Sequence, residues 1–271
     1  MALRRAEMEL DILYNYYLDI CEDKYSGGPL VSDVSLNQML KYPTNNNLPF
    51  YNSQLTYFMI DYYRKNTFPQ IVSDNIYNNK FKDAITVYRG EKRTEFARIL
   101  LSEWDYHYGA GAIGDGIYAT DYKVRAEAYK RDKRFGELLE FKINPDANII
   151  SIDYLNTLIW YVELQTKRKG LFNREKISMP PLSPEVENKL NILIKYLDKV
   201  RDEGFRKCFI NSDSNIGCYR LNKYSSLLAV YLGIDAIVCD RGIKDYAILN
   251  RGALVISNSE YNKIMGIQNE R

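Results

Sequence analysis

The run Gly114-Asp115-Gly116-Ile117-Tyr118-Ala119-Thr120-Asp121, with Tyr129 beyond it, carries the residue types in this chain best suited to hold a ligand. Glycines around Ile and Tyr describe a short strand entered from a flexible loop, with an aromatic face beside backbone that no side chain shields. Such a strand edge is a slot for something flat. Residues Tyr122 to Lys130 contain neither Gly nor Pro and favour a helix, which brings Tyr129 back over the slot from the opposite side. Two tyrosines then sandwich one aromatic ring.

The same region holds a misleading motif. Gly109-Ala110-Gly111-Ala112-Ile113-Gly114 matches the dinucleotide fingerprint GxGxxG letter for letter. That fingerprint needs an apolar strand before it, a helix directly after it and an acid about 20 residues on. Here the polar and aromatic run Ser102 to Tyr108 precedes it and the strand Gly116 to Ala119 follows, so the run reads as a mobile loop.

Elements that must position these residues can be read along the chain. Leu3, Leu10, Leu13, Tyr14, Tyr17 and Leu18 recur at helical spacing over 3–22, and Leu55, Phe58, Met59 and Tyr62 do so over 53–65, with a Pro- and Asn-rich loop between. The first 80 residues therefore read as a small helical unit. From Ala84 to Tyr88 the chain turns β-branched and aromatic and stops at Arg89-Gly90, a strand followed by a helix over 94–103. Strands are expected over 137–143 and 148–152, separated by the turn Asn144-Pro145-Asp146, then helices over 154–166, 185–202 and 221–232. Gly233 closes the last of these, and strands over 235–239, 246–249 and 253–257 follow. Strict strand-helix alternation is missing, so the expected class is α+β, with domains at 1–80 and 81–271.

The 271 residues are 46% hydrophobic, enough for one large or two modest domains with a real core. Lys+Arg 37 against Asp+Glu 35 leaves a net charge of +2, which predicts neither a nucleic-acid coat nor an acidic tail. Two local basic runs, Lys123 to Arg134 and Lys167 to Lys176, read either as solvated surface or as contacts to phosphate. Four cysteines without a CxxC pair and a single histidine, His107, argue against a zinc site, so no metal is expected. The N-terminal residues lack an apolar signal core and no segment has the length of a membrane span, so a soluble, reducing, cytoplasmic setting is expected.

Taken singly, the candidate residues have ordinary explanations. Arg89 at a strand end is a surface ion pair by default. Tyr118 and Tyr129 are two of 24 tyrosines, and Asn250-Arg251-Gly252 is a hairpin turn. His107 beside the glycine loop is exposed by default, with a role as base or as a contact to the acceptor as the alternative.

Taken together and in order, three stretches resemble the ADP-ribosyltransferases. Val87-Tyr88-Arg89-Gly90 is similar to the family's first-strand motif. Gly114 to Ala119 with Tyr129 is similar to the second motif, in its poly(ADP-ribose) polymerase and diphtheria-toxin form. Asp245-Tyr246-Ala247-Ile248-Leu249-Asn250-Arg251 is similar to the third. The layout of residues 232–256 resembles transferase domains of phage-encoded and toxin-like proteins, and the resemblance spans roughly 81 to 260. It implies a split, antiparallel β core with flanking helices and NAD, as co-substrate, in the cleft between its halves. Arg89 would hold the adenosine ribose or a phosphate, since a guanidinium forks onto phosphate. Gly90 would offer its backbone to the nicotinamide carboxamide, and Tyr118 and Tyr129 would sandwich the positively charged ring.

Under this resemblance Arg89, Tyr118 and Asp245 are the catalytic set, with Tyr88, Gly116 and Thr120 completing the NAD contacts. Asp245 stands where the family carries a glutamate that stabilises the oxocarbenium-like state as nicotinamide leaves. An aspartate is one methylene shorter, and Asp240 or Asp115 are the nearby carboxylates that could substitute. The implied activity is mono-ADP-ribosylation of a macromolecule, a protein before RNA or DNA. Hydrolysis of NAD, or NAD binding without turnover, are the alternatives.

Overall fold

The computed structural model describes residues 2–21, 48–64, 67–101, 110–111, 113–130, 136–166, 182–210 and 226–266. In chain order its helices are α1 (Ala2–Cys21), α2 (Leu48–Arg64), α3 (Asp74–Asn79), α4 (Arg93–Leu101), α5 (Lys123–Ala128), α6 (Ile152–Thr166), α7 (Pro184–Val200), α8 (Glu203–Ile210), α9 (Ser226–Leu232) and α10 (Asn258–Met265). The strands are β1 (Gln70–Val72), β2 (Thr86–Lys92), β3 (Ala110–Gly111), β4 (Gly114–Asp115), β5 (Ile117–Thr120), β6 (Gly136–Ile143), β7 (Ile149–Ser151), β8 (Ala236–Asp240), β9 (Lys244–Ile248) and β10 (Leu254–Ser257). Two compact units result, Met1–Met59 with Asp153–Gly233, and Ile60–Ile152 with Ile234–Arg271. The boundary read from the sequence at 80/81 does not coincide with them. The N-terminal helices group with a helical segment from the middle of the chain, a pairing that local periodicity cannot reveal.

The elements of the first unit are helices among the described residues. Leu10 and Leu13 of α1, Leu155 and Leu158 of α6 and Leu193 of α7 are fully buried, and every residue of α9 is buried. A helix apolar on all sides must be surrounded. Many of the tyrosines conspicuous in the sequence are structural here. Around Phe205 gather the rings of Tyr14, Tyr17, Tyr196 and Phe209 at centroid distances of 4.9, 5.3, 6.4 and 5.4 Å. Their hydroxyls are used as buried hydroxyls require: Tyr14 donates to Asp202 at 3.3 Å and Tyr196 to Asp11 at 2.8 Å.

The second unit is built on one eight-stranded sheet in the order β1-β10-β6-β2-β5-β9-β8-β7. The class is therefore α+β, as the spacing of elements predicts. The sheet is mixed rather than wholly antiparallel, because the two short edge strands, β1 on β10 and β7 on β8, run parallel to their neighbours. Its interior pairs are antiparallel, and the Asn144-Pro145-Asp146 turn forms with the Asn144 side chain accepting from the Asp146 amide at 3.1 Å.

Strand alternation sorts the residues of β2 onto two faces. Val87 faces a core of Leu139, Phe141, Ile117, Ala119, Tyr246 and Ile248, closed by Phe96, Ile99 and Leu100 of α4 and Ile264 of α10. Tyr88 and Gly90 face the other way. That second face is covered at one end by α3, whose Tyr77 packs with Val72, Phe81 and Val255, and at the other by α5, whose Ala126 is buried. The join between β2 and β5 is the sheet's narrow seam. β2 pairs with β6 along its whole length, whereas its register with β5 is Tyr88 opposite Thr120.

Candidate active site

The seam brings the three motif strands side by side. β2 carries Tyr88-Arg89-Gly90, β5 carries Tyr118 and Thr120, and β9 carries Asp245. One register row crosses them: Glu140 opposite Tyr88, Tyr88 opposite Thr120, Thr120 opposite Asp245, and Asp245 opposite Cys239. Opposite residues share a face, and residues two apart along a strand share it as well. Tyr88, Gly90, Tyr118, Thr120 and Asp245 therefore lie on one side of the sheet, the side that α5 covers.

Asp245 is the polar centre of that face. Its side chain is 26% exposed and its Oδ2 lies 2.7 Å from Nη2 of Arg125 on α5. Burial raises its carboxyl above the ordinary aspartate range, and the charge of Asp121 pushes the same way. The Arg125 guanidinium and a hydrogen bond from Thr120 pull against that shift. Thr120 is buried, and its Oγ1 also accepts the Tyr122 amide at 3.3 Å, which ties the end of β5 to the start of α5. At the far end of the row burial raises the Tyr88 hydroxyl, with the charge and hydrogen bond of Glu140 adding to the effect. Glu140 also accepts from Tyr77 at 3.3 Å.

The glycines are demanded by close approach. A Cβ on Gly90 would collide with the Ala126 carbonyl oxygen, so the glycine of the first motif admits the last turn of α5 against β2. What lies against the Gly90 backbone is thus a helix end. A Cβ on Gly116 would meet the Ile248 carbonyl oxygen at 2.9 Å, so this glycine lets β5 sit close to β9.

The two slot tyrosines differ. Tyr118 is half-buried, its hydroxyl accepts from the Ile113 amide at 3.0 Å, and its carbonyl accepts from Arg89 Nη1 at 2.7 Å. Tyr129 ends α5 and is 60% exposed, so its ring has room to pack on a ligand. Gly111 and Gly114 of the GxGxxG run pair in the small hairpin β3-β4, and a strand follows rather than a helix. A short hairpin thus stands where the sequence suggested a mobile loop, and its context is not that of a phosphate loop. Gly109, Ala112, His107 and the basic run Lys167 to Lys176 lie outside the described residues.

Arg89 departs most from its expected setting. It is 8% exposed, on the core side of β2, and its Nη2 lies 3.3 Å from Oε2 of the equally buried Glu91. With Nη1 on the Tyr118 carbonyl it spans the seam as a strut between β2 and β5. A guanidinium held this way meets protein groups, and this cannot be read from local spacing because the partner Glu91 reads as one more charged residue. Asp240, an alternative carboxylate, is exposed at the β8-β9 turn, where it accepts from the Gly242 amide at 3.1 Å, and Asp115 lies on β4. Arg251 forms no simple hairpin turn. It is buried in a 3-10 turn, donates to the carbonyls of Thr67 at 2.6 Å and Ile99 at 3.3 Å, and stacks 4.3 Å from the Phe68 ring.

Among the described residues no group of three or more His, Cys, Asp or Glu is placed to hold a metal ion, and no helix is long and apolar enough to cross a membrane. Comparison with protein-family models, curated proteins and solved structures finds no match to this chain.

Proposed function

We propose that this protein is an NAD-dependent mono-ADP-ribosyltransferase whose site is the α5-covered face of the seam. One observation carries the reading: the register row that sets Thr120 beside Asp245 on the face shared with Gly90 and Tyr118, beneath the helix that ends in Tyr129. These are the three stretches whose order in the sequence resembles the family. In the proposed reaction the bond between the nicotinamide nitrogen and the ribose C1′ breaks, and its electron pair leaves with nicotinamide. An acceptor nucleophile then bonds to C1′ and gives up a proton. Asp245 holds a ribose hydroxyl and offsets the positive charge of the oxocarbenium-like state. Tyr118 and Tyr129 flank the cationic ring, and a protein is favoured over RNA or DNA as acceptor.

The test is incubation with NAD labelled in its adenosine half and a cell lysate. Label should pass to macromolecules with release of nicotinamide, and protease against nuclease treatment then sorts the acceptor. Folded protein that releases no nicotinamide overturns the proposal.

The Arg125 ion pair favours a second reading, NAD binding without turnover, because it engages the carboxylate that the reaction needs. That reading predicts that wild type binds NAD but releases no nicotinamide, and that Asp245→Glu, with its longer reach, gains turnover.

A further inference from the structure

Among the described residues two arginines lie near the proposed site, and their settings are opposite. Arg89 is buried beneath the sheet, bonded to the Tyr118 carbonyl and paired with Glu91. The Arg125 side chain is 40% exposed on the face with Asp245, Thr120 and Tyr118, and Asp245 is its 2.7 Å partner. A buried guanidinium could reach an anionic ligand only by leaving its partner charge unpaired in the core, which is costly. An exposed one exchanges partners cheaply, since a surface ion pair is worth little and the long side chain is flexible.

Resting on the NAD reading above, we infer that Arg125, and not Arg89, is the arginine that binds the substrate's diphosphate, leaving Asp245 for NAD as NAD enters. The chemistry of NAD supports the exchange. The ribose that Asp245 would hold carries the diphosphate on its own 5′ carbon, so the anion nearest that ribose is the one an arginine beside Asp245 would meet. Binding would then uncouple the pair: the guanidinium forks onto phosphate oxygens, which it matches bidentately, and the carboxylate turns to the ribose hydroxyl. Arg89 keeps a positioning role, holding Tyr118 across the seam.

Calorimetric titration of the full chain with NAD and with nicotinamide riboside, which has the ribose but no phosphate, tests this. Arg125→Gln should weaken NAD binding about tenfold or more, the scale of a charged hydrogen bond, and should not weaken riboside binding. Arg125→Lys should fall between, keeping the charge but not the fork. The NAD affinity of wild type should also decline with salt more steeply than that of Arg125→Gln. A thermal melt confirms that the variants fold. Equal NAD affinity in wild type and Arg125→Gln overturns this inference alone, as does an equal loss for both ligands. Wild type that binds neither ligand ends the NAD reading and this inference with it.

Discussion

The two faces of β2 invite comparison. On one, Val87 packs into the apolar core, Arg89 and Glu91 are buried, and the arginine is paired with its strand neighbour. On the other, Tyr88 lies in a polar row with Thr120 and Asp245, and Gly90, two residues on, shares that face beneath a short helix with an exposed tyrosine at its end. A step of one residue separates the two settings. A motif read as a word, Tyr88-Arg89-Gly90, is divided by the pleat into a strut and part of a candidate site, and the setting of each member follows from its face rather than from its letter.

The largest effect that would break this contrast comes from the buried side. Arg89→Ala should destabilise the protein by about 3–5 kcal/mol, because Glu91 would be left as an unpaired buried charge. Replacing both by apolar residues of similar size should recover much of that loss in a chemical denaturation cycle. An Arg89→Ala protein as stable as wild type would contradict the strut.

Next comes Gly90→Ala, which forces a methyl group against the Ala126 carbonyl oxygen and should cost about 2–3 kcal/mol. The same change at Gly116, where the nearest oxygen is 2.9 Å away, should cost less. Tyr129→Ala sits at the small end for stability, within about 0.5 kcal/mol of wild type in a thermal melt, because the ring is mostly exposed. It should nonetheless weaken NAD binding by about 1–2 kcal/mol, the worth of a stacked aromatic or cation–π contact. A lowered melting temperature with unchanged affinity would make Tyr129 a packing residue.

The smallest effect is electrostatic. Burial raises the Asp245 carboxyl while Arg125 holds it down, so Arg125→Gln should raise it further, visible as a later midpoint in the carboxyl carbon shift by NMR. A folded-state pKa above the unfolded one contributes stability that is present below the ordinary aspartate value and lost as pH rises through the raised one. Relative to Asp245→Asn, the Arg125→Gln protein should therefore lose stability over a wider pH window than the wild type does.

Much of the fold was legible because β-branched runs and helical periodicity are local signals. The strands around Val87, Leu139 and Ile237 stand where Ala84 to Tyr88, Glu137 to Ile143 and Asp235 to Cys239 predict them, with ends displaced by a few residues. The strand β1 is too short to show alternation. The helix α10 has a local signal: Ser257 caps it by accepting the Glu260 amide at 3.1 Å, and Ser257-Asn258-Ser259-Glu260 is a capping box in sequence. In the site, Tyr118, Thr120 and Asp245 were legible as members of ordered stretches. The roles of Arg89 and Arg125 were not, since which arginine is buried and which meets Asp245 depends on sheet register and on where α5 lies, and neither is written in local spacing.

Nicotinamide release from NAD, measured side by side for wild type and Asp245→Ala, decides whether Asp245 does the proposed chemistry. Wild type should release nicotinamide, and the variant should lose about a hundredfold or more without weaker NAD binding, because the carboxylate would act chiefly in the transition state. No release by folded wild type, or equal release by the two proteins, would contradict that role.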